Sequence, residues 1–311
     1  MKKLIKIEST KSETYIYWLL TDFCNQKCSY CSSYFNSGNV AASNRFPNSS
    51  KILQFLDTLS NLALTNKDRK FFICLSGGEP TTHDLFPEII QRLKDFAYVH
   101  VITNGTRNVS YWKSFVKLPD YVIISLHPEY YDKKKIRINE LSEFLSNSGV
   151  HVRYNLMCHP SHWETVLNIY NDIDDKFKPF IVNKVIHDYN QPGNPQVDYS
   201  QEQLDFIRFR QTEDPGLNRG LLLSHYDDGT ITPVMNANKI MAEGQNFFKG
   251  WKCSAGSEIV SINYDGTVYA GLCKIKYLGT LENFSILNEY VTCNRNACVT
   301  PADIHCSKYK N

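Results

Sequence analysis

The sequence predicts an α/β protein: a partial (β/α)6 TIM-like barrel followed by a small cysteine-rich module of β-hairpin and helix. Three observations predict it. Six short apolar runs recur between residues 15 and 187, amphipathic helical patterns separate them, and five of the ten cysteines crowd residues 253–306. Runs rich in β-branched and aromatic residues, with little polar alternation, mark strands buried on both faces. Strand–helix repetition builds a parallel sheet with right-handed crossovers. Six units are fewer than a closed TIM barrel contains, so the expected form is open.

The runs are YIYWLL (15–20), KFFICLS (70–76), YVHVITN (98–104), YVIISLH (121–127), HVRYNLM (151–157) and PFIVNKVIH (179–187). Ile52, Leu53, Leu56, Leu59 and Leu62 form one helical stripe. Leu85, Ile89, Leu93 and Phe96 form a second, with Asp84 as its expected N-cap, and Trp163, Val166, Leu167 and Tyr170 form a third. QPGNPQ (191–196) reads as a linker, YSQEQLDFIRFRQ (199–211) as a helix, and LLLSHYDDGTITPV (221–234) as a hairpin turning at Asp228-Gly229. The expected domains are a core barrel over 1–195, a connecting helix and hairpin over 196–246, and the cysteine-rich module over 247–311. Cys74 and Cys158 lie inside strand runs and read as buried core thiols.

With 311 residues, 42% of them hydrophobic, the chain can bury a full-sized core. Its net charge is +2 and its longest basic run is Lys133–Lys135, which argues against a nucleic-acid surface. The opening MKKLIKIESTKSE has no apolar signal-peptide region, and no apolar stretch approaches the roughly 20 residues that span a bilayer. The expectation is a cytoplasmic protein with no nucleic-acid or membrane partner. In that compartment clustered cysteines bind metal or do redox chemistry.

Residues 21–35 read TDFCNQKCSYCSSYF, with Cys24, Cys28 and Cys31 spaced C-x3-C-x2-C directly after the first strand. Ligands of parallel α/β folds sit at the carboxyl ends of strands, so this triplet lies on the functional rim. A closed structural zinc site wants four ligands. Three thiols on a cubane iron–sulfur cluster leave one iron open to a substrate. The second strand ends in Gly77-Gly78-Glu79, where paired glycines allow close backbone approach. The third ends in TNG (103–105), and on the fourth Ser125 and His127 share a face.

The cysteine spacing, with Tyr30 before the last thiol, resembles the signature of the radical S-adenosylmethionine (SAM) superfamily, whose GGE and TNG motifs recur at the same strand ends. The resemblance covers residues 15–190. It implies a [4Fe–4S] cluster on Cys24, Cys28 and Cys31 that chelates SAM, with Gly77, Gly78 and Glu79 at its methionine moiety. It places Ser125 at the ribose or carboxylate of SAM, and Asn155 as a similar contact. Arg153, on the same face as Asn155, serves either that carboxylate or substrate. It implies reductive cleavage of SAM to a 5′-deoxyadenosyl radical, which abstracts a substrate hydrogen, and a reducing partner such as flavodoxin or ferredoxin. His127, Glu129 and His187, each at or beside a strand end, are the nominated substrate contacts, with either histidine able to act as a general base.

Residues 253–273 read CSAGSEIVSINYDGTVYAGLC, a hairpin turning at Asp265-Gly266 between two cysteines. With Cys293, Cys298 and Cys306 behind it, this resembles the twitch module, the shortened SPASM domain, which holds an auxiliary iron–sulfur cluster. The fit departs from the family pattern: six residues separate Gly266 from Cys273, with Gly271 where the cysteine is usual. Cys253, Cys273, Cys293 and Cys298 are the expected ligands of a second, auxiliary [4Fe–4S] cluster. Cys306 replaces one of them or stays a free thiol. A zinc ribbon is the alternative. The expected activity is a radical SAM oxidoreductase acting on a small polar metabolite. The alternatives are a peptide-modifying maturase or epimerase and, from another class, a non-catalytic zinc-binding protein.

Overall fold

The computed structural model describes residues 2–10, 13–31, 49–131, 135–186, 198–209, 222–234, 240, 244–298 and 300–310. In chain order the strands are β1 (Leu4–Ser9), β2 (Glu13–Thr21), β3 (Lys70–Gly77), β4 (Tyr98–Thr103), β5 (Tyr121–Leu126), β6 (His151–Met157), β7 (Ile181–Lys184), β8 (Leu222–Tyr226), β9 (Ile231–Val234), β10 (Lys252–Cys253), β11 (Ile259–Ile262), β12 (Thr267–Ala270), β13 (Lys276–Thr280), β14 (Val291–Thr292) and β15 (Lys308–Tyr309). The helices that matter are α1 (Ser49–Thr65), α2 (Phe86–Leu93), α3 (Val109–Lys113), α4 (Lys135–Asn147), α5 (Trp163–Asp172) and α6 (Gln201–Phe209). Strands β2 to β7 are the six apolar runs. One helix separates each consecutive pair, giving the mixed α/β fold of a partial TIM-like barrel.

The chain divides into two units. The first comprises Met1–Leu20, Asn44–Cys74 and Leu217–Asn311; the second comprises Thr21–Ser43 and Leu75–Gly216. The border therefore falls inside β2 and inside β3.

In the first unit the strand order β13-β12-β11-β2-β3 arises because β11 docks in parallel on β2, with Ile259 opposite Tyr15 and Ile262 opposite Trp18. A six-stranded sheet, β14-β10-β15-β1-β8-β9, completes this unit. Trp18 packs edge-on against Phe55 of α1 at 5.1 Å. The buried stripe of α1 is Ile52, Phe55, Leu56 and Leu59, so Phe55 takes the place expected for Leu53 and Leu62. The hairpin at Asp228-Gly229 forms between β8 and β9, with Gly229 at φ +82.

In the second unit the order is β3-β4-β5-β6-β7, and the β4–β5, β5–β6 and β6–β7 pairs are parallel. Among the described residues no pairing closes this sheet on itself. Strand β5 is buried at every position except Ser125, and β6 alternates, with Val152, Tyr154 and Leu156 buried while His151, Arg153, Asn155 and Met157 are partly open. That alternation separates the packed face from the one available to ligands. Helix α2 starts at Phe86 with Leu85 at its cap, so Asp84 is not the N-cap: it stands one residue too early, in the turn. The expected linker at 191–196 lies outside the described residues. No described helix is long and apolar enough to cross a membrane.

Candidate functional site

The cysteine loop leaves the carboxyl end of β2 and is held there by backbone contact. Gly78 N–H donates to Thr21 O and Glu79 N–H to Phe23 O, both at 2.7 Å. The approach is so close that a Cβ on Gly78 would stand 2.1 Å from Phe23 O and 2.9 Å from Cys24 N. Gly77, at φ +139, would set a Cβ 2.3 Å from Thr21 O. Both glycines are thus required by the chain entering the loop, a role that the sequence alone does not reveal.

Glu79 is fully buried. One carboxylate oxygen accepts from Thr81 N–H (3.1 Å), Thr81 Oγ1 (2.6 Å) and Thr103 Oγ1 (2.7 Å), and the other from Asn104 N–H (2.6 Å). Burial pushes its carboxyl up from the usual range, and these four donors pull against it. Glu79 so ties the end of β3 to the end of β4. Asn104 of the TNG motif completes the chain of contacts: its Nδ2 donates to Asn25 Oδ1 at 2.8 Å and reaches Cys24 Sγ at 3.7 Å. Gln26 N–H also points at Cys24 Sγ, at 3.4 Å.

The turn after β5 grips the other end of the loop. Glu129 accepts from Ser29 N–H at 3.0 Å and from Ser29 Oγ, and Tyr130 Oη accepts from Lys27 N–H at 2.8 Å. His127 Nδ1 lies 2.8 Å from Tyr30 Oη and 3.4 Å from Cys28 Sγ, and the Tyr30 ring stacks on it. Tyr30 is buried, and the tilted His159 ring lies 5.3 Å from its own. Sequence reasoning placed Tyr30, His127 and Glu129 near function but missed Tyr130, Asn104 and His159 as loop supports.

Cys28 is buried, Cys24 half-buried and Cys31 exposed. Burial raises the Cys28 thiol to about 12, with Glu129, Cys31 and Cys24 adding to it; Cys31, exposed by surface area but with atoms crowded about its sulfur, is raised to about 11, with Cys24 adding. Among the described residues no three His, Cys, Asp or Glu side chains converge on a single metal position. The fit to an iron–sulfur cluster therefore rests on the donor set. Three thiols share one short loop, and N–H groups aim at Cys24 sulfur, as such clusters accept.

On the open face of the sheet, Ser125 and Asn155 are register partners, with Val182 next in the row. Arg153 Nη2 contacts Asn155 Oδ1 at 3.4 Å. Ser125 and His127 line one small cavity with Gln26, Asn104 and Tyr130. The structure adds Lys184, opposite Met157 at the end of β7; burial and the neighbouring Arg153 push its ammonium down to about 7. The run PFIVNKVIH carried that lysine in plain view, and period-2 counting from Val182 puts it on the open face. His187 lies outside the described residues.

The first unit carries the five cysteines of the C-terminal module, one of them, Cys253, on β10. Cys253 is opposite Lys308 in register, Cys293 N–H donates to Trp251 O at 2.8 Å, and Cys298 N–H to Asn246 O at 2.8 Å. Buried Asp303 accepts from Leu272 N–H and Cys273 N–H, both at 2.8 Å. Gly271, at φ +69, leaves room for that carboxylate: a Cβ there would stand 2.8 Å from it. Burial raises the Cys273 thiol, and after Asp303 the repelling groups are Cys298, Cys253 and Cys293. Cys298 is raised to about 12, chiefly by burial, with Cys253 and Cys293 among its neighbours. Cys306 couples to Cys253 alone among the thiols, and its hydrogen bond lowers Cys253 to about 6.

An open parallel sheet with a three-thiol loop on its carboxyl rim defines a class of cofactor-dependent α/β protein. The sequence model of the Radical SAM superfamily matches residues 18–182, more than half of the chain. The chain belongs to that superfamily, which implies SAM and a [4Fe–4S] cluster. No curated protein matched the sequence. Among solved structures, anSMEcpe with bound AdoMet is similar at a TM-score of 0.53 and 14% identity, over 88% of this chain and 79% of that one. The same protein with AdoMet and the Kp18Cys peptide gives 0.51 at 14% identity, over 88% and 79%. Streptococcus suis SuiB bound to precursor peptide SuiA gives 0.50 at 13%, over 90% of this chain and 64% of that one. At these identities the likeness is one of fold.

Proposed function

We propose that the chain is a radical SAM oxidoreductase in which Cys24, Cys28 and Cys31 hold the SAM-binding cluster. One observation carries the reading: a loop of three thiols is clamped to the strand-end rim by Gly77-Gly78 on one side and by Asn104, Glu129 and Tyr130 on the other. When bound and reduced by a donor such as flavodoxin or ferredoxin, the cluster and SAM supply a 5′-deoxyadenosyl radical that removes a substrate hydrogen atom.

The chain's own residues then have these roles. Ser125 and Asn155 offer hydrogen bonds to SAM from adjacent strands, and Arg153 offers its carboxylate a fork of donors. Tyr30, His127 and Glu129, already engaged with the loop, act as positioning residues; the general-base nomination passes to His187. Cys253, Cys273, Cys293 and Cys298 hold an auxiliary cluster in this reading, supported by the electrostatic repulsion these four thiols exert on one another, with Cys306 a hydrogen-bonding neighbour of Cys253. When bound there, such a cluster would supply an electron acceptor for the substrate radical, and the overall reaction would then be a two-electron oxidation. The division into barrel (1–195), connector (196–246) and module (247–311) belongs to the same proposal.

The substrate is a small polar molecule, in keeping with the row Ser125, Asn155, Arg153 and Lys184 on the open face. A second reading, a peptide substrate, draws support from the anSMEcpe and SuiB folds that carry bound peptides. Reduced enzyme and SAM, incubated with deuterated candidates of each kind, test both. Deuterium in 5′-deoxyadenosine from a metabolite but no peptide supports the first, and the converse supports the second. Colourless protein containing zinc and leaving SAM intact overturns both.

A further inference from the structure

On the open face of the second unit's sheet, two cations flank a neutral row. The row is Ser125, Asn155 and Val182, matched in register across β5, β6 and β7. Arg153 stands two residues before it on β6 and Lys184 two residues after it on β7, each about 7 Å along the strand. Arg153 reaches towards the row, where its Nη2 contacts Asn155 Oδ1 at 3.4 Å. Lys184 lies in the field of Arg153, and burial together with that charge pushes its ammonium down to about 7. Among the described residues Lys184 Nζ makes no hydrogen bond or ion pair, and the charge that acts on it is a like one.

The place of Lys184 ties it to the cysteine loop. Ile186, two residues further on, packs with Cys28 and Tyr30, and Met157, the register partner of Lys184, joins the same cluster. Lys184 therefore stands one step inside the layer that meets the loop. It is half-buried rather than enclosed, so a ligand can reach it. Holding an ammonium among apolar neighbours and beside a second cation is unfavourable, and an anion is what relieves it.

We propose that Lys184 anchors an oxyanion of the substrate, a carboxylate or a phosphate, seated over the Ser125–Asn155 row with Arg153 beside it. The inference deepens the small-polar-substrate reading given above and rests on it. Charge counting favours the substrate as the source. SAM brings one carboxylate, for which the fork of Arg153 suffices. The charge of Lys184 is then unmatched until a second anion arrives. Charge-assisted hydrogen bonds to that anion replace the hydration lost on burial and offset the repulsion from Arg153. Anchoring one end of the substrate also fixes which of its C–H bonds is presented for abstraction.

The full-length reconstituted protein with SAM bound is labelled at neutral pH by a limiting amine-reactive reagent, and the rate at Lys184 is read by peptide mass spectrometry. Acetate and inorganic phosphate are the probes, with chloride at matched ionic strength as the control. The anchor predicts that at least one probe slows labelling of Lys184 by about tenfold at about ten times its dissociation constant, and that exposed Lys249 is unaffected. Acetate protection points to a carboxylate, and phosphate protection to a phosphate. Labelling that neither probe slows overturns the proposal. So does a Lys184 that resists the reagent in every state. Labelling slowed by SAM alone, with nothing added by the probes, overturns it as well, because Lys184 then serves the SAM carboxylate.

The competing role is a neutral amine that takes a proton from substrate. Lys184→Arg separates the two, since it keeps the charge and cannot act as a base at neutral pH. Deuterated acids and their primary amides are compared as donors to 5′-deoxyadenosine. The anchor predicts transfer from an acid and not from its amide. Lys184→Met lowers kcat/KM for that acid by about tenfold to a hundredfold, chiefly through KM, and Lys184→Arg restores it. Equal transfer from acid and amide, or equal losses in the two variants, overturns the anchor. SAM cleavage is scored in the same preparation. Anion protection in protein that leaves SAM whole overturns the radical reading alone, and active protein whose Lys184 ignores both probes overturns the anchor alone.

Discussion

Adding one methyl group at Gly78 should disable the SAM-binding site without touching a ligand. The new Cβ would lie 2.1 Å from Phe23 O, 2.4 Å from Phe23 C and 2.9 Å from Cys24 N. Cβ atoms essentially never come within 3.0 Å of such neighbours, so the chain entering the cysteine loop has to retreat by about 0.9 Å. That retreat stretches both 2.7 Å bonds that fix the loop, Gly78 N–H to Thr21 O and Glu79 N–H to Phe23 O. At about 1 kcal/mol each, with the steric term added, Gly78→Ala destabilises the loop by about 2–4 kcal/mol. The assay is iron and sulfide per chain together with SAM cleavage after anaerobic reconstitution. Iron should fall from about eight to about four, with 5′-deoxyadenosine lost. Gly149→Ala is the control: nothing lies within 4 Å of its Cβ, and its φ of +80 alone costs about 1–2 kcal/mol. It should lower stability and leave iron unchanged. Gly78→Ala protein with full iron and wild-type SAM cleavage would refute the clamp.

Glu79→Gln should cost about 1–3 kcal/mol, because its amide nitrogen must face Asn104 N–H or the Thr81 and Thr103 donors; a lower urea midpoint with an unchanged slope is the expected result. Lys184 supplies a pH test. Its folded value, about 7, lies below the ordinary 10.5, so between those limits the unfolded chain holds the extra proton and stability rises with pH. Since Lys184 is only partly buried by exposed area, the rise is on the order of 1 kcal/mol. Lys184→Met should flatten that slope in pH-dependent urea titrations, and an identical slope would show that the lysine is solvated. Asp303→Ala removes the acceptor of the Leu272 and Cys273 amides and should lower auxiliary-cluster iron while leaving the SAM-binding cluster filled, read as iron per chain and by electron paramagnetic resonance.

The six barrel strands were legible because each is a short buried run whose type is fixed locally. Val122, Ile123 and Ile124 leave little choice of environment, and the helix between two such runs follows from spacing. Strand β1 was not legible: LIKIES alternates with lysine and glutamate, and its partners, β8 and β15, lie more than 200 residues away. The docking of β11 on β2 has the same cause, since no local pattern announces a parallel partner so distant in the chain. At the site, cysteine spacing identified the loop, whereas the purpose of its supports did not show. Glu79 reads as a ligand contact in a motif, yet its four donors come from Thr81, Thr103 and Asn104, and only folding brings the last two within reach. Lys308 sits two residues after Cys306 and resembles a surface lysine until β15 pairs with β10 and buries it.

The central claim is that Cys24, Cys28 and Cys31 together hold the centre at which SAM is reductively cleaved. Its most direct measurement is 5′-deoxyadenosine formed by oxygen-free, iron- and sulfide-reconstituted protein under strong reductant, compared with single alanine variants at those three positions. The account predicts nucleoside product from wild type and none from any of the three variants, whose auxiliary iron is retained. Product formation by a variant at the wild-type rate, or none by iron-replete wild type, would contradict it.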